Sequence, residues 1–269
     1  MDDNRGFSDD ELAAMSPKEF RRLVRRGKWT GRTVMACRGY TQVNLAVVPK
    51  DYAFEFLLFC NRNPRPCPVL DVTEPGSPHP PRIAPEADLR TDLPKYVVYV
   101  NGRLEAEPTD ITDYWRDDLV AFLMGCSLSF DWLLRVNNIH FRMLGAFSTN
   151  ISCLPAGRLS AHMVVSCRLV KAGDVVRTVQ ISSRYPLVHG APIHIGDPGA
   201  IGVKDLRHPD MSRGRVGETY APPEPDEIAL FWGCGVTPQA VAMESKIPFM
   251  ITHCWPLVTD LPVEEIAIL

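Results

Sequence analysis

At 269 residues, with 29 basic and 32 acidic side chains and a formal net charge of -3, the chain can bury a large core, in one large or two modest domains. Its charges are interspersed, so it carries no basic field of the kind that nucleic acid or an anionic membrane requires. No apolar stretch reaches the roughly 20 residues of a membrane span, and the acidic start MDDNRGFSDDEL is unlike a secretory signal or a mitochondrial presequence, so the expected setting is the cytoplasm. Eight cysteines, at positions 37, 60, 67, 126, 153, 167, 234 and 254, form no Cys-x-x-Cys pair and no zinc-finger spacing, and most are expected as buried free thiols.

In chain order, Ser8 to Glu11 and Ser16 to Glu19 are successive capping boxes that predict two short helices, the second ending at Gly27. The basic run RRLVRRGK within the second reads as its solvated face. Residues 43–48 predict a strand stopped by Pro49, residues 52–60 a mostly buried helix, and residues 67–72 a further strand. The proline-rich segment 73–94 reads as a surface loop. Residues 96–100 and 103–107, joined by Asn101-Gly102, predict a hairpin with a type I′ turn. Helical periodicity is expected over 113–124 and 130–136, a strand over 162–170 and a helix over 174–184.

The stretch EIALFWGCGVTPQAVAMESKIPFMITHCW, residues 227–255, reads as strand, glycine turn, helix, strand. A short apolar run stopped by glycine suits a strand buried on both faces of a parallel sheet. The expected architecture is therefore α/β: a mostly parallel or mixed sheet flanked by helices over 1–110 and 184–269, with a smaller inserted α+β subdomain over 111–183. Gly233 and Gly235 let a ligand approach the backbone. Exposed amides from Val236 to Gln239, with the positive end of the helix dipole, suit a carboxylate, and Thr237 followed by Pro238 marks the helix start. Cys234 is either a nucleophile activated by that helix end or a small residue that fits the turn. His253, at the carboxyl end of the next strand, is either a site residue or a core histidine bonded to a carbonyl. The loop over 182–203 concentrates Arg184, His189, His194 and Asp197, candidate proton carriers or ligands for a divalent cation. No cofactor is expected, and a divalent metal and a homo-oligomer stay open.

At these residues the chain resembles the D-glutamate cyclase family. The matching motifs are GYTQVNL from Gly39, EFLLFC from Glu55, NPRPCP from Asn63, RTDLPKY from Arg90, EPTDITDYWRDDLVAFLMGCS from Glu107, SSRYP from Ser182, HGAPIHIGDP from His189 and FWGCGVTPQ from Phe231. The resemblance implies a two-domain α/β architecture and closure of D-glutamate to 5-oxo-D-proline with loss of water. That chemistry needs a deprotonated amine, fixed donors for a tetrahedral oxyanion and a proton for the departing hydroxide. His189, His194, Asp197 and His253 are the candidate proton-handling groups, with Arg184 a candidate carboxylate clamp.

Three departures from the family pattern bear on substrate. AFSTNISC, which contains Asn150, places Ser148 where relatives carry an arginine. GCSLSFD places Asp131 where they carry glutamate. THCWPLV brings in Cys254 and Trp255 where they read THAPGHM. The expected function is thus a lyase-type dehydration or cyclisation of a small carboxylate or amino acid, in specialised metabolism, with weak D-glutamate turnover improved by Ser148→Arg. The alternatives are D-glutamate cyclisation itself and a non-catalytic binder of small carboxylates.

Overall fold

The computed structural model describes residues 6–212 and 222–268. Both capping boxes form: Ser8 accepts from the Glu11 amide and Ser16 from the Glu19 amide, opening helices α1 (Asp9–Ala14) and α2 (Pro17–Arg25). The basic run is only partly solvated. Arg21 is buried and donates to both carboxylate oxygens of Asp260 and to the Val258 carbonyl, while Arg25 grips Asp92 through two hydrogen bonds. These arginines fasten α2 to the body of the molecule.

The chain continues through β1 (Tyr40–Pro49), α3 (Lys50–Arg62), β2 (Val69–Val72), β3 (Tyr96–Val100), β4 (Arg103–Ala106), β5 (Leu119–Gly125), α4 (Leu128–Val136) and β6 (Phe141–Ser152). It then runs through β7 (His162–Lys171), α5 (Val175–Ser183), β8 (His194–Ile195), β9 (Glu227–Gly233), α6 (Thr237–Glu244), β10 (Phe249–His253) and β11 (Leu257–Pro262). A seven-stranded sheet has the order β2-β5-β1-β10-β3-β4, with β11 also pairing β1, and a four-stranded sheet has the order β6-β7-β9-β8.

Every one of these pairings is antiparallel, which corrects the expected mostly parallel or mixed sheet. The stretch β9-α6-β10 explains the error. Its strands belong to different sheets, with α6 crossing between them, so the run is not a parallel βαβ unit. A strand buried on both faces has the same continuous apolar sequence in either setting. Sheet membership also cuts across the expected 111–183 insertion: β5 lies next to β1 in the large sheet, and β9 joins β6 and β7 in the small one.

In β1, Val43, Leu45 and Val47 pack on one face of the large sheet and Ala46 and Val48 on the other. The second of these faces is covered by α3 and α6. The first is covered largely by the proline-rich segment, whose Ile83, Ala84, Ala87, Leu89 and Leu93 are buried. That segment is therefore a packed layer, pinned by Asp71, which accepts from the amides of Arg82 and Ile83. The expected helix over 113–124 is instead a short 3-10 turn (Thr112–Tyr114) and then β5, an entirely buried strand. Only one face of α3 is buried, through Phe56, Phe59 and Cys60, and Phe54 and Leu57 are exposed. The Asn101-Gly102 turn has positive φ at both residues, as a type I′ hairpin demands.

Candidate functional site

The ladder between β1 and its two partners is interrupted at one place. Thr252 of β10 pairs Ala46 and Leu257 of β11 pairs Val43, so the four residues 253–256 stand opposite only Asn44 and Leu45. Such a bulge bends the strand, leaves backbone groups unpaired and re-aims side chains. Here the His253 ring takes over one missing pairing, with Nδ1 3.2 Å from both the amide and the carbonyl oxygen of Leu45. Its Nε2 has no partner among the described residues. Burial pushes this imidazole down to about 4, against which the Leu45 hydrogen bond acts only partly, so His253 is neutral at pH 7.

Opposite the bulge lies the turn between β9 and α6. A Cβ on Gly235 would come within 2.0 Å of Asn44 Nδ2, and one on Gly233 within 2.9 Å of the Arg65 backbone, so both glycines are required by close approach. Thr237 does not cap the helix. Its hydroxyl donates to the Cys234 carbonyl and accepts from the Val164 amide, tying the turn to β7. The amides of Thr237 and Gln239 are spent on Cys234 and Val236, and Pro238 has none. Those of Gly235 and Val236 have no acceptor among the described residues, at the positive end of α6. Gln239 donates to the His253 carbonyl and accepts from Tyr99, fixing α6 to the bulge.

Between bulge and turn is a cavity of about 90 Å³. The large sheet contributes Asn44, His253, Cys254, Trp255 and Pro256, and the turn contributes Cys234 and Val236. The small sheet adds Met143, Gly145, Ala146 and Ser166, and the connection from β5 into α4 adds Cys126, Ser127 and Leu128. Met211 and Ser212 complete the wall, where the Ser212 hydroxyl accepts from the Ala146 amide at 2.7 Å. Asn44 is oriented by donating Nδ2 to the Gly125 carbonyl at 2.8 Å. Burial raises the Cys126 thiol to about 12, which keeps it protonated. Behind the wall, Arg168 is fully buried against Asp131, whose Oδ1 accepts from its Nε at 2.8 Å and lies 2.7 Å from its Nη2 in an ion pair. Its guanidinium lies 5.1 Å from the ring centroids of Phe130 and Trp232, close enough for cation–π attraction.

The sequence-derived candidates divide between this cavity and other places. Cys234, Val236 and His253 line it, and Gly233, Gly235 and Thr237 shape its turn. His189, His194 and Asp197, candidate proton carriers in the sequence, are not among its lining residues. His189 is a strut: Nδ1 bonds the Arg65 carbonyl at 2.7 Å while Arg65 Nη1 bonds the His189 carbonyl at 3.1 Å. Burial lowers this imidazole to about 4, and its φ of 82° is held by that clamp. His194 Nε2 bonds the Asp197 carbonyl, and Asp197 caps the amide of Gly199. Their segment runs beside β9, with the Ile193 amide on the Phe231 carbonyl. Arg184 is exposed and donates to the Ile268 carbonyl. Ser148 and Asn150 line a separate depression that also includes Lys204, His208 and Asp210. Among the described residues, no three His, Cys, Asp or Glu side chains gather as metal ligands.

Sequence reading missed Asn44, Ser127, Ser166 and Gln239 as cavity residues. A signal existed for two of them: Asn44 interrupts the apolar run of β1, and Ser166 with Arg168 interrupts that of β7. A polar residue in a strand buried on both faces must be satisfied by something, and here that something borders a cavity.

Fold and site together define an α/β protein with two antiparallel sheets and a partly polar cavity at their junction. A family model described as D-glutamate cyclase matches residues 120–260. A protein of Geobacillus kaustophilus is 52% identical over 268 residues, covering 96% of this chain and 98% of its own length. One of Bacillus subtilis is 51% identical over 263 residues, covering 95% and 100%, and one of Stutzerimonas stutzeri is 48% identical over 263 residues, covering 95% and 97%. Each of the three carries the name "putative hydro-lyase". The chain belongs to the D-glutamate cyclase family. Among the described residues no helix is long and apolar enough to cross a membrane.

Proposed function

We propose that this chain is a lyase-type enzyme that dehydrates or cyclises a small carboxylate or amino acid in the cavity between bulge and turn. The observation that supports this reading is the pairing, beside one cavity, of a neutral histidine with a free ring nitrogen and an unsatisfied helix start. A neutral imidazole can take a proton from an attacking amine or from carbon and return it to a departing hydroxide. Amides of Gly235 and Val236 are donors suited to the oxygen on which negative charge develops.

The test is turnover of a panel of amino and hydroxy acids, D-glutamate included, followed by proton NMR. His253→Ala is expected to lower kcat/KM by about 10²- to 10⁴-fold, while His194→Ala leaves it unchanged. Turnover untouched by His253→Ala would sink the proton-transfer role, and tight binding of an acid with no turnover by any member of the panel would favour the non-catalytic binder.

D-glutamate cyclisation to 5-oxo-D-proline is the second reading, supported by the family match. Against it stands Trp255, whose ring lines the cavity and favours a more apolar ligand. Ser148, whose replacement of an arginine suggested a lost clamp, borders a different depression. Ser148→Arg is therefore expected to leave D-glutamate turnover unchanged, and a rise of tenfold or more would restore the clamp argument.

A further inference from the structure

Arg168 does more than neutralise Asp131. Its Nη2 donates to Ser127 Oγ at 2.9 Å and its Nη1 to Ser166 Oγ at 3.3 Å. A guanidinium has only donors, so each serine oxygen must spend lone-pair capacity on it, and each hydroxyl proton must find an acceptor elsewhere. Neither hydroxyl donates to any described residue. Ser127 is 5% exposed and Ser166 6%, and both line the cavity. Two buried O–H donors, made more acidic in character by a cation behind them, border one cavity.

We propose that Ser127 and Ser166 are the carboxylate-recognition pair of the site, with Arg168 the positioning residue that keeps both hydroxyls turned toward the ligand as donors. The inference rests on the reading of the cavity as a small-carboxylate site and names the group that takes the non-reacting carboxylate. Recognition through hydroxyls, with the guanidinium one layer back, avoids an arginine in direct contact. The positive charge stays fixed by Asp131 and the aromatic rings of Phe130 and Trp232, so nothing must reorganise when the anion enters. Asn44 fits the same division of labour. Its Nδ2 is held by Gly125, which leaves Oδ1 as the acceptor for an amino or hydroxyl group beside that carboxylate.

The test compares a carboxylate with its uncharged isostere, using 5-oxo-D-proline and 5-oxo-D-prolinamide as probes in calorimetric titration of the intact chain. The unmodified protein is expected to bind the acid at least tenfold more tightly than the amide. Ser127→Ala with Ser166→Ala is expected to abolish that preference and leave the amide's affinity within threefold, a selective change that a merely structural role would not produce. Ser127→Thr with Ser166→Thr, which keeps both hydroxyls, is expected to retain the preference. Persistence of the full acid-over-amide ratio in the double alanine variant overturns the proposal, as does absence of any preference in the unmodified protein. Turnover measured alongside separates the two claims. Acid preference lost in the alanine variant, with no acid turned over by the unmodified protein, leaves the recognition pair standing and sinks the enzymatic reading. Undiminished turnover and preference in that variant do the reverse.

Discussion

Acid should unfold this protein through two histidines. His189 and His253 are 1% and 3% exposed, and burial lowers each to about 4, whereas an unfolded histidine titrates near 6.5. The folded state therefore holds both rings neutral where the unfolded chain takes up protons. Their stabilising contribution is complete above about pH 6.5 and declines as pH falls toward 4. By linkage each loses about 2 kcal/mol by pH 5 and about 3 kcal/mol below pH 4. Two such losses approach the whole stability of an ordinary domain, about 5 to 15 kcal/mol. Guanidinium denaturation at pH 7.5 and pH 5 should show a drop of about 4 kcal/mol in the native protein. In His189→Gln with His253→Gln most of that pH dependence should vanish, although stability at pH 7.5 falls because the Arg65 and Leu45 hydrogen bonds are altered. Equal pH dependence in the two proteins would show that these rings are already charged, or already free, in the folded state.

The second large effect is expected at the buried ion pair. Arg168→Met removes the counter-charge of Asp131 in an environment where a carboxylate is costly, and breaking a buried pair from one side costs about 3 to 5 kcal/mol. Arg168→Met combined with Asp131→Asn should recover much of that loss, since the uncompensated charge is gone and neighbouring hydrogen bonds can be kept. A double-mutant cycle read by chemical denaturation should give a coupling of at least about 2 kcal/mol. Strict additivity of the two substitutions would mean that the pair is not the desolvated unit its burial implies. Nε and Nη2 of Arg168 both converge on a single carboxylate oxygen of Asp131. Asp131→Glu tests how far the aromatic surroundings of Arg168 are matched to the shorter side chain.

What could be read from the sequence alone was local. The capping boxes at Ser8 and Ser16, the Asn101-Gly102 turn, the strand ending at Pro49 and the helix starting at Thr237-Pro238 depend on residues within a few positions of one another, and all of them form. The glycines at 233 and 235 were legible as positions of close approach, but the space expected for a ligand is taken by the Asn44 side chain and the Arg65 backbone. Family membership was legible too, because long ordered motifs survive where local chemistry and packing must both be kept.

Tertiary structure alone decided strand direction, sheet membership and which polar residues meet. A run such as residues 119–125 is apolar throughout, and burial on all sides erases the periodicity that separates strand from helix. The chemistry of His189 and His194 marks them as candidates, yet carbonyls of Arg65 and Asp197 occupy their rings; the first contact joins segments 124 positions apart and is set by packing, whereas the second spans three residues of one loop. The cavity itself arises from a register mismatch, two extra residues between β10 and β11 opposite Asn44 and Leu45. Register is set by the pairing of strands about 200 positions apart, so no local pattern records it.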